Sequence, residues 1–413
     1  MKPLSSSDIP GGFSFSAMHC GLKKSKLDLA ILTSDTPAVG AAVFTQNRVQ
    51  AAPVLVSREN LRKSRGQLRG IVVNSGNANC CTGTDGRAAA EATTRAVARA
   101  MGAAETAGAG RRKVDASQML VCSTGVIGVP LKVQKILHAV PQLVGARQSS
   151  AEAFTEFARA IMTTDTRPKW AAAKCRIGGK TVRLAGCAKG SGMIEPNMAT
   201  MLAFVVTDAA ISPALARRAL RTAVATTFNA ITVDGDTSTN DMAAVLANGT
   251  AGARRITRED GDYRNFLTAL GCVCRKLALA IVADGEGAQR VVEIEVRGAA
   301  SDGAADRIAR TIANSPLVKT ALAGGDPNWG RILAAAGRSG VAFDPERVDI
   351  HLAGLQVCRR GLERPFDEKT AHHKMMTPHV PIVVDLRAGL GRARVWTCDF
   401  TAEYVRINAS YRT

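Results

Sequence analysis

Short runs of β-branched and apolar residues alternate with longer stretches of helical periodicity along the whole chain. Ile71-Val72-Val73 reads as a strand running into the glycine and asparagine turn Asn74-Ser75-Gly76-Asn77. Residues 87–101 are rich in alanine and predict a helix. Met119-Leu120-Val121 predicts another strand, entering Ser123-Thr124-Gly125. Pro130 then stands where proline opens a helix, with Ile136, Leu137 and Val140 on the apolar side. Residues 151–162 continue as helix. A strand over 201–206 precedes a helix over about 213–228, and residues 263–282 carry the strongest helical period. Further strands are expected at 291–296, 382–386, 395–400 and 404–407. Such a mixture predicts a layered α/β fold with helices covering sheet. No internal repeat, low-complexity tract or linker interrupts it, so the boundary that matters is expected to be chemical rather than architectural.

Composition narrows the class. With 413 residues, 46% hydrophobic and 22% charged, the chain can bury a sizeable core and is not a disordered one. Aromatics are only 4% and glycines number 38, which predicts close packing and many sharp turns. No membrane partner is expected, because no apolar run reaches the roughly 18 residues of a membrane span. Asp8, Pro10, Gly11 and Gly12 break any signal-peptide pattern near the start. A cytoplasmic enzyme is therefore expected. The ten cysteines are scattered; Cys80-Cys81 and Cys272-Val273-Cys274 lack the spacing of a zinc or redox pair, so reduced thiols are expected. The net charge of +19 raises the question of nucleic acid. Its basic residues are dispersed, with only short clusters such as Arg62-Lys63 and Arg111-Arg112-Lys113, and few aromatics are present to stack on bases. No nucleic-acid partner is expected; a solvated basic surface that also suits anionic substrates is the simpler reading.

Familiar catalytic motifs are missing. Gly179-Lys180-Thr181 resembles the end of a phosphate-binding loop, but the glycine required at position 174 is Lys174. Gly190-Ser191-Gly192 lacks the full spacing of a nucleophile elbow. His372, His373 and His379 have no carboxylate at metal-ligand spacing, and a wet loop accounts for them. No metal and no cofactor are expected. None of the six histidines sits in a recognisable catalytic setting, so an enzyme here needs another base.

Chemistry concentrates around residues 188–204. Two glycines and Pro196 constrain a loop, and an apolar strand begins just after Thr200. The β-branch of threonine limits χ1, so its hydroxyl can be held in one direction. Pressed against the carbonyl of Ala199, that hydroxyl would favour an N-to-O acyl shift and hydrolysis, freeing the α-amine of Thr200. A free α-amine has an ordinary pKa of about 7.7–8.0 and can act as base for its own hydroxyl. A threonine at the start of a strand also has a plain structural use, and the residues by themselves leave both open.

The segment Lys189-Gly190-Ser191-Gly192-Met193-Ile194 and the following Pro196-Asn197-Met198-Ala199-Thr200-Met201-Leu202 closely resemble the ornithine acetyltransferase family, the bifunctional glutamate N-acetyltransferases of arginine biosynthesis. Asn74–Asn79, Ser123–Gly128, Thr163–Thr166, Asp234–Asp241, Ala283–Gly287, Gly324–Arg331 and Asn408–Thr413 match in family order and span nearly the whole chain. The resemblance implies a layered α/β/β/α-type fold and self-cleavage between Ala199 and Thr200. The products would be an α chain of residues 1–199 and a β chain of 200–413, commonly assembled as α2β2. It implies ping-pong transfer of acetyl from N-acetylornithine to Thr200 and on to glutamate, without a cofactor, and with acetyl-CoA as a possible second donor. Thr124 and Gly125 match the oxyanion hole. Lys189, Glu286, Asn408 and Thr413 match substrate-contacting positions, as does one of Thr163 and Thr166. For each residue the bland alternative is a turn, a solvated lysine, a loop carboxylate or a frayed chain end. The carboxylates of the 234–241 run serve either a metal or a structural turn network, and the family needs no metal.

Two other functions compete. Related self-cleaving aminopeptidases and amidases hand the acyl group to water. A non-catalytic basic binding protein would show no processing and would bind nucleic acid in a salt-sensitive way.

Overall fold

A computed structural model describes residues 4–106, 114–195 and 201–410. The expectations at Ala199, Thr200 and Thr413, and the basic cluster Arg111-Arg112-Lys113, lie outside the described residues.

The first sheet takes strands β1 (Phe13–Met18), β2 (Leu29–Phe44), β3 (Gln67–Asn77), β4 (Met119–Val126), β5 (Lys169–Ile177), β6 (Lys180–Lys189), β7 (Leu202–Thr207) and β8 (Met242–Ala247). Their order is β4-β3-β2-β8-β7-β6-β5, with β1 paired to β2. The helices of this part are α1 (Ala52–Lys63), α2 (Gly83–Thr106), α3 (Val133–Gly145), α4 (Ala151–Ala160), α5 (Pro213–Ala225) and α6 (Gly261–Val282). Strand β2 organises the stack. Its first half pairs with β1 and β3, its register shifts between Thr33 and Ala38, and its second half runs beside β8.

Side-chain alternation then sorts the layers. Leu29, Ile31, Val72 and Val121 face α1, α2 and α3. Leu32, Val73 and Cys122 share an inner core with Cys187, Phe204 and Ala244 from the other half of the sheet. Leu184, Ala203, Val205 and Val245 face α5 and α6 on the far side. The result is the α/β/β/α stack that the family resemblance implies.

Helix α4 edges the inner core through Phe154 and Phe157. The Phe154 ring meets Phe15 edge-on at 5.0 Å, and Phe157 meets Phe204 at 5.8 Å. Helix α6 is long and apolar enough to cross a membrane by length and composition. Yet its buried positions Tyr263, Phe266, Leu270, Val273, Leu277 and Ile281 recur at helical spacing and pack in the α5–α6 core.

An architectural boundary that the sequence reading left out follows α6. Strands β9 (Val291–Ala299), β10 (Asp349–Leu352), β11 (Leu355–Arg359), β12 (Leu362–Glu363), β13 (His379–Asp385) and β14 (Gly391–Cys398) form a second sheet in the order β12-β11-β10-β13-β9-β14. With α7 (Asp302–Ala313), α8 (Pro316–Gly324), α9 (Trp329–Gly337) and α10 (Glu368–Met375) it has a core of its own, containing Val292, Ile294, Ile308, Ile350 and Ile382. The chain then returns to the first sheet through α11 (Ala402–Ser410).

Three local expectations are corrected. Residues 404–407 belong to helix α11, not a strand; Tyr404 and Ile407 stand at i, i+3, a spacing compatible with helix, and Asn408 Nδ2 bonds the Tyr404 carbonyl one turn back at 3.0 Å. Pro130 precedes rather than opens α3, because the Asn77 side-chain amide holds the Val129 carbonyl at 3.0 Å in the preceding loop. His372 and His373 lie in α10 rather than a loop. Truncating the inner aromatic contact tests the layering: Phe154→Ala should lower unfolding free energy by about 3–5 kcal/mol in urea titration, whereas a loss well under 1 kcal/mol would contradict it.

Candidate active site

The ends of β3, β4 and β6 and the starts of β7 and β8 surround a cleft. Thr124, Gly125, Thr163, Lys189, Glu286 and Asn408 all line it, together with Met201, the residue after Thr200. Thr166 does not. Its backbone N–H donates to Asp284 at 3.1 Å and its hydroxyl bonds the same carboxylate. Of the two threonines, Thr163 lines the cleft and Thr166 is held against Asp284.

Thr124 and Gly125 close strand β4, in parallel register with Ser75 and Gly76 of β3. Gly125 has φ +130°, and a Cβ there would stand 2.4 Å from the carbonyl carbon of Gly76, so only glycine fits. Lys189 ends β6 and its Nζ lies 3.1 Å from Thr124 Oγ1. An ammonium can only donate, so the Thr124 oxygen accepts and its own hydroxyl proton is free to point elsewhere. This neighbour, not a solvated surface, is the environment of Lys189.

Glu286 is buried and receives the Asn408 side-chain amide at 2.7 Å. A Cβ on Gly192 would fall 2.5 Å from the Glu286 carboxylate, so that loop glycine makes the space the acid occupies. The ring of Tyr404 stacks on Phe400 at 4.6 Å, and together they seat α11 at the cleft. Burial and the neighbouring Asp234 carboxylate push the Tyr404 phenol above its ordinary range.

Under these loops lies a buried charge network. Lys169 Nζ sits 2.6 Å from Asp165 and 2.6 Å from Asp284. Asp165 also accepts from the Gly190 N–H at 2.7 Å, and the Ser191 hydroxyl donates to the Asp284 carbonyl at 2.7 Å. Burial alone would raise the Asp165 carboxyl, but the ammonium groups of Lys169 and Lys189 outweigh it and hold it at about 2.

The Asp234–Asp241 run works as a turn network. Asp234 accepts from the N–H groups of Met193 and Ile194 at 2.6 and 2.8 Å, and the Glu195 N–H donates to the Asp236 carbonyl at 2.9 Å. On the other side the Met242 N–H donates to the Met201 carbonyl at 3.0 Å. The described flanks of residues 196–200 are therefore tied to this run and to the first residue of β8 after it. Asn240 links it to β4 through the Ser123 carbonyl at 2.9 Å. Among the described residues, no group of three or more His, Cys, Asp or Glu is arranged to hold a metal ion.

Comparison with known proteins fits this arrangement. The family model of the ArgJ family matches residues 14–413. The chain belongs to the ArgJ family. The arginine biosynthesis bifunctional protein ArgJ of Symbiobacterium thermophilum is 47% identical over 407 residues, covering 98% of each chain. That of Geobacter sulfurreducens is 48% identical, covering 97% of this chain and 99% of its own. A crystal structure of the Bacillus halodurans ArgJ matches with a TM-score of 0.50 and 45% identity, covering 51% of this chain and 100% of the solved one.

Sequence reasoning missed Asp165, Lys169 and Asp284 as a unit, and Tyr404 as a cleft residue. Asp165 and Asp284 stood inside recognised segments, but their common partner did not. Acid titration checks the network. The folded pKa of Asp165 is depressed, so its contribution is full above about pH 4 and disappears as pH falls towards 2. Urea unfolding of the wild type should lose about 2 kcal/mol across that window, a loss that Asp165→Asn should not show; identical acid profiles would contradict the pairing.

Proposed function

We propose that this ArgJ family member cleaves itself between Ala199 and Thr200 and moves acetyl from N-acetylornithine to glutamate through an acetyl-Thr200 intermediate. The observation that carries this reading is the convergence of Thr124, Gly125, Thr163, Lys189, Glu286 and Asn408, from distant stretches of sequence, on one cleft beside Met201. Thr124 supplies a hydroxyl freed by Lys189 for the developing oxyanion, with the Gly125 N–H as second donor. Lys189 pairs with a substrate carboxylate, and Glu286, steadied by Asn408, receives the cationic amine of ornithine. Thr163 contacts substrate, and the family resemblance assigns a substrate contact to Thr413 as well. The freed α-amine of Thr200 is the base for its own hydroxyl.

Cleavage would leave α and β pieces of 1–199 and 200–413 within a single sheet. Strand β8 is hydrogen-bonded to β2, and β7 to β6, so each piece completes the other's ladder. A solved relative matched in full by about half of this chain supports the division. The pieces assemble as α2β2 in the cytoplasm, without a resident cofactor. The relatives' designation as bifunctional supports acetyl-CoA as a second donor.

Intact mass and denaturing gels of wild type beside Thr200→Ala test the processing step. Two wild-type fragments meeting at Ala199 and Thr200, with the variant whole, are expected; a folded but uncut wild type would remove the nucleophile. Ornithine release beyond one equivalent per enzyme should require added glutamate. Acetate release without glutamate would instead favour hydrolysis, as in the aminopeptidase and amidase relatives. Thr124→Val should lower kcat by about 10²–10³ if its hydroxyl serves the oxyanion, and an unchanged kcat would contradict that role.

A further inference from the structure

Cys80 and Cys81 occupy the loop between β3 and α2 and enter none of the roles above. In extended chain, adjacent side chains point to opposite faces, yet these two sulfurs lie 3.7 Å apart. The loop bends to bring them together. Asn79 and Cys81 both take left-handed backbone, with φ +47° and +57°, a conformation uncommon outside glycine. Neighbouring groups pin the bend. The Asn79 N–H donates to Asn77 Oδ1 at 2.7 Å, its Nδ2 donates to the Gly86 carbonyl at 2.8 Å, and the Thr82 hydroxyl donates to Asn79 Oδ1 at 2.8 Å. The Gly128 N–H holds the Cys80 carbonyl at 3.0 Å. Cys80 is buried with Ala51, Ala78 and Ile127, whereas Cys81 is exposed.

Direct closure to a disulfide works against this backbone. Consecutive Cα atoms are about 3.8 Å apart, short of the roughly 4.4 Å at which ordinary disulfide spans begin. A bridging atom removes that demand. Two bonds of about 2.3 Å, an ordinary length from a thiolate to a thiophilic atom, span the 3.7 Å gap at an angle close to tetrahedral. An ion that needs four protein ligands is not served, because among the described residues no group of three or more His, Cys, Asp or Glu is gathered to hold one. The partner that fits takes two sulfurs and carries its remaining group outwards beside Cys81. Burial holds the Cys80 thiol above its ordinary range, so it stays protonated until a partner already bound to Cys81 reaches it.

We propose that Cys80 and Cys81 form a binding site for trivalent arsenicals, a modification site that goes beyond the acetyl-transfer reading and does not rest on it. A monosubstituted arsenoxide attaches first to the exposed Cys81 sulfur and then closes on Cys80. Two S–As bonds form and the As=O bond breaks; the oxygen leaves as water with the two thiol protons. Arsenic stays trivalent throughout, so the step needs neither oxidant nor reductant.

Phenylarsine oxide, at one equivalent on the native purified protein, is the probe. The wild type should keep one phenylarsenic group through desalting in excess glutathione, lose two titratable thiols, and release the group to 1,2-ethanedithiol. The adduct should map to the tryptic fragment 70–87, which contains no other cysteine. Cys81→Ser and Cys80→Ala should each bind at least about 10²-fold more weakly, because the second bond is intramolecular once the first has formed. A wild type that keeps nothing, loses one thiol rather than two, or carries the adduct elsewhere would overturn the proposal. So would a Cys81→Ser variant that binds as tightly as the wild type. If Cys80→Ala does not fold, the exposed Cys81→Ser change and the mapped wild-type fragment still decide. The measurement reads the same on cut or uncut chain, so a failure of the processing step and a failure of this site are distinct results.

Discussion

A lysine that solvent never reaches holds the cleft together. Lys169 opens β5 with both Asp165 and Asp284 within hydrogen-bonding distance, all three nearly or fully buried. Asp165 belongs to the segment that carries Thr163. It also fastens Gly190, the residue after Lys189, and Asp284 lies two residues before Glu286. One ammonium thus cross-ties the stretches bearing the cleft residues Thr163, Lys189 and Glu286. Removing one partner would leave an uncompensated buried charge, which typically costs 3–5 kcal/mol. The rigid elements behind the stretches, β5, β6 and α6, share a single apolar core, so the charges are held by packing as well as by each other.

The second sheet has a different task. It folds around its own core and touches the first part where Ile231 bridges Trp396 and where the Thr232 N–H meets the Trp396 carbonyl at 2.9 Å. Its exit strand β14 launches α11, whose Tyr404 and Asn408 complete the cleft opposite Lys189. An arrangement of this kind lets residues near the end of the chain reach a site whose walls are formed some 200 to 300 residues earlier.

Strands with unbroken β-branched runs, such as those around 71–73 and 201–206, were legible because little else produces them. Met242–Ala247 was not: its Met-Ala-Ala-Val-Leu-Ala sequence carries no alternation, because the strand is buried on both faces between β2 and β7. Tyr404–Ile407 misled for the opposite reason, as a short apolar spacing that helix and strand share. At the site, the motifs around Thr124, Lys189 and Glu286 stood out through family resemblance, and the fold brings them to one cleft. Lys169 could not be found that way. Its partners lie 4 and 115 residues distant, and only the fold brings them to one ammonium.

The central claim is that Thr200 carries the acetyl group between substrates. The most direct measurement is the intact mass of both fragments after brief exposure to N-acetylornithine without glutamate. A gain of one acetyl group on the fragment beginning at Thr200, discharged when glutamate is added, is the predicted result. Cut, folded protein that releases ornithine only when both substrates are present, with no acetylated fragment at any time, would contradict a covalent intermediate on Thr200.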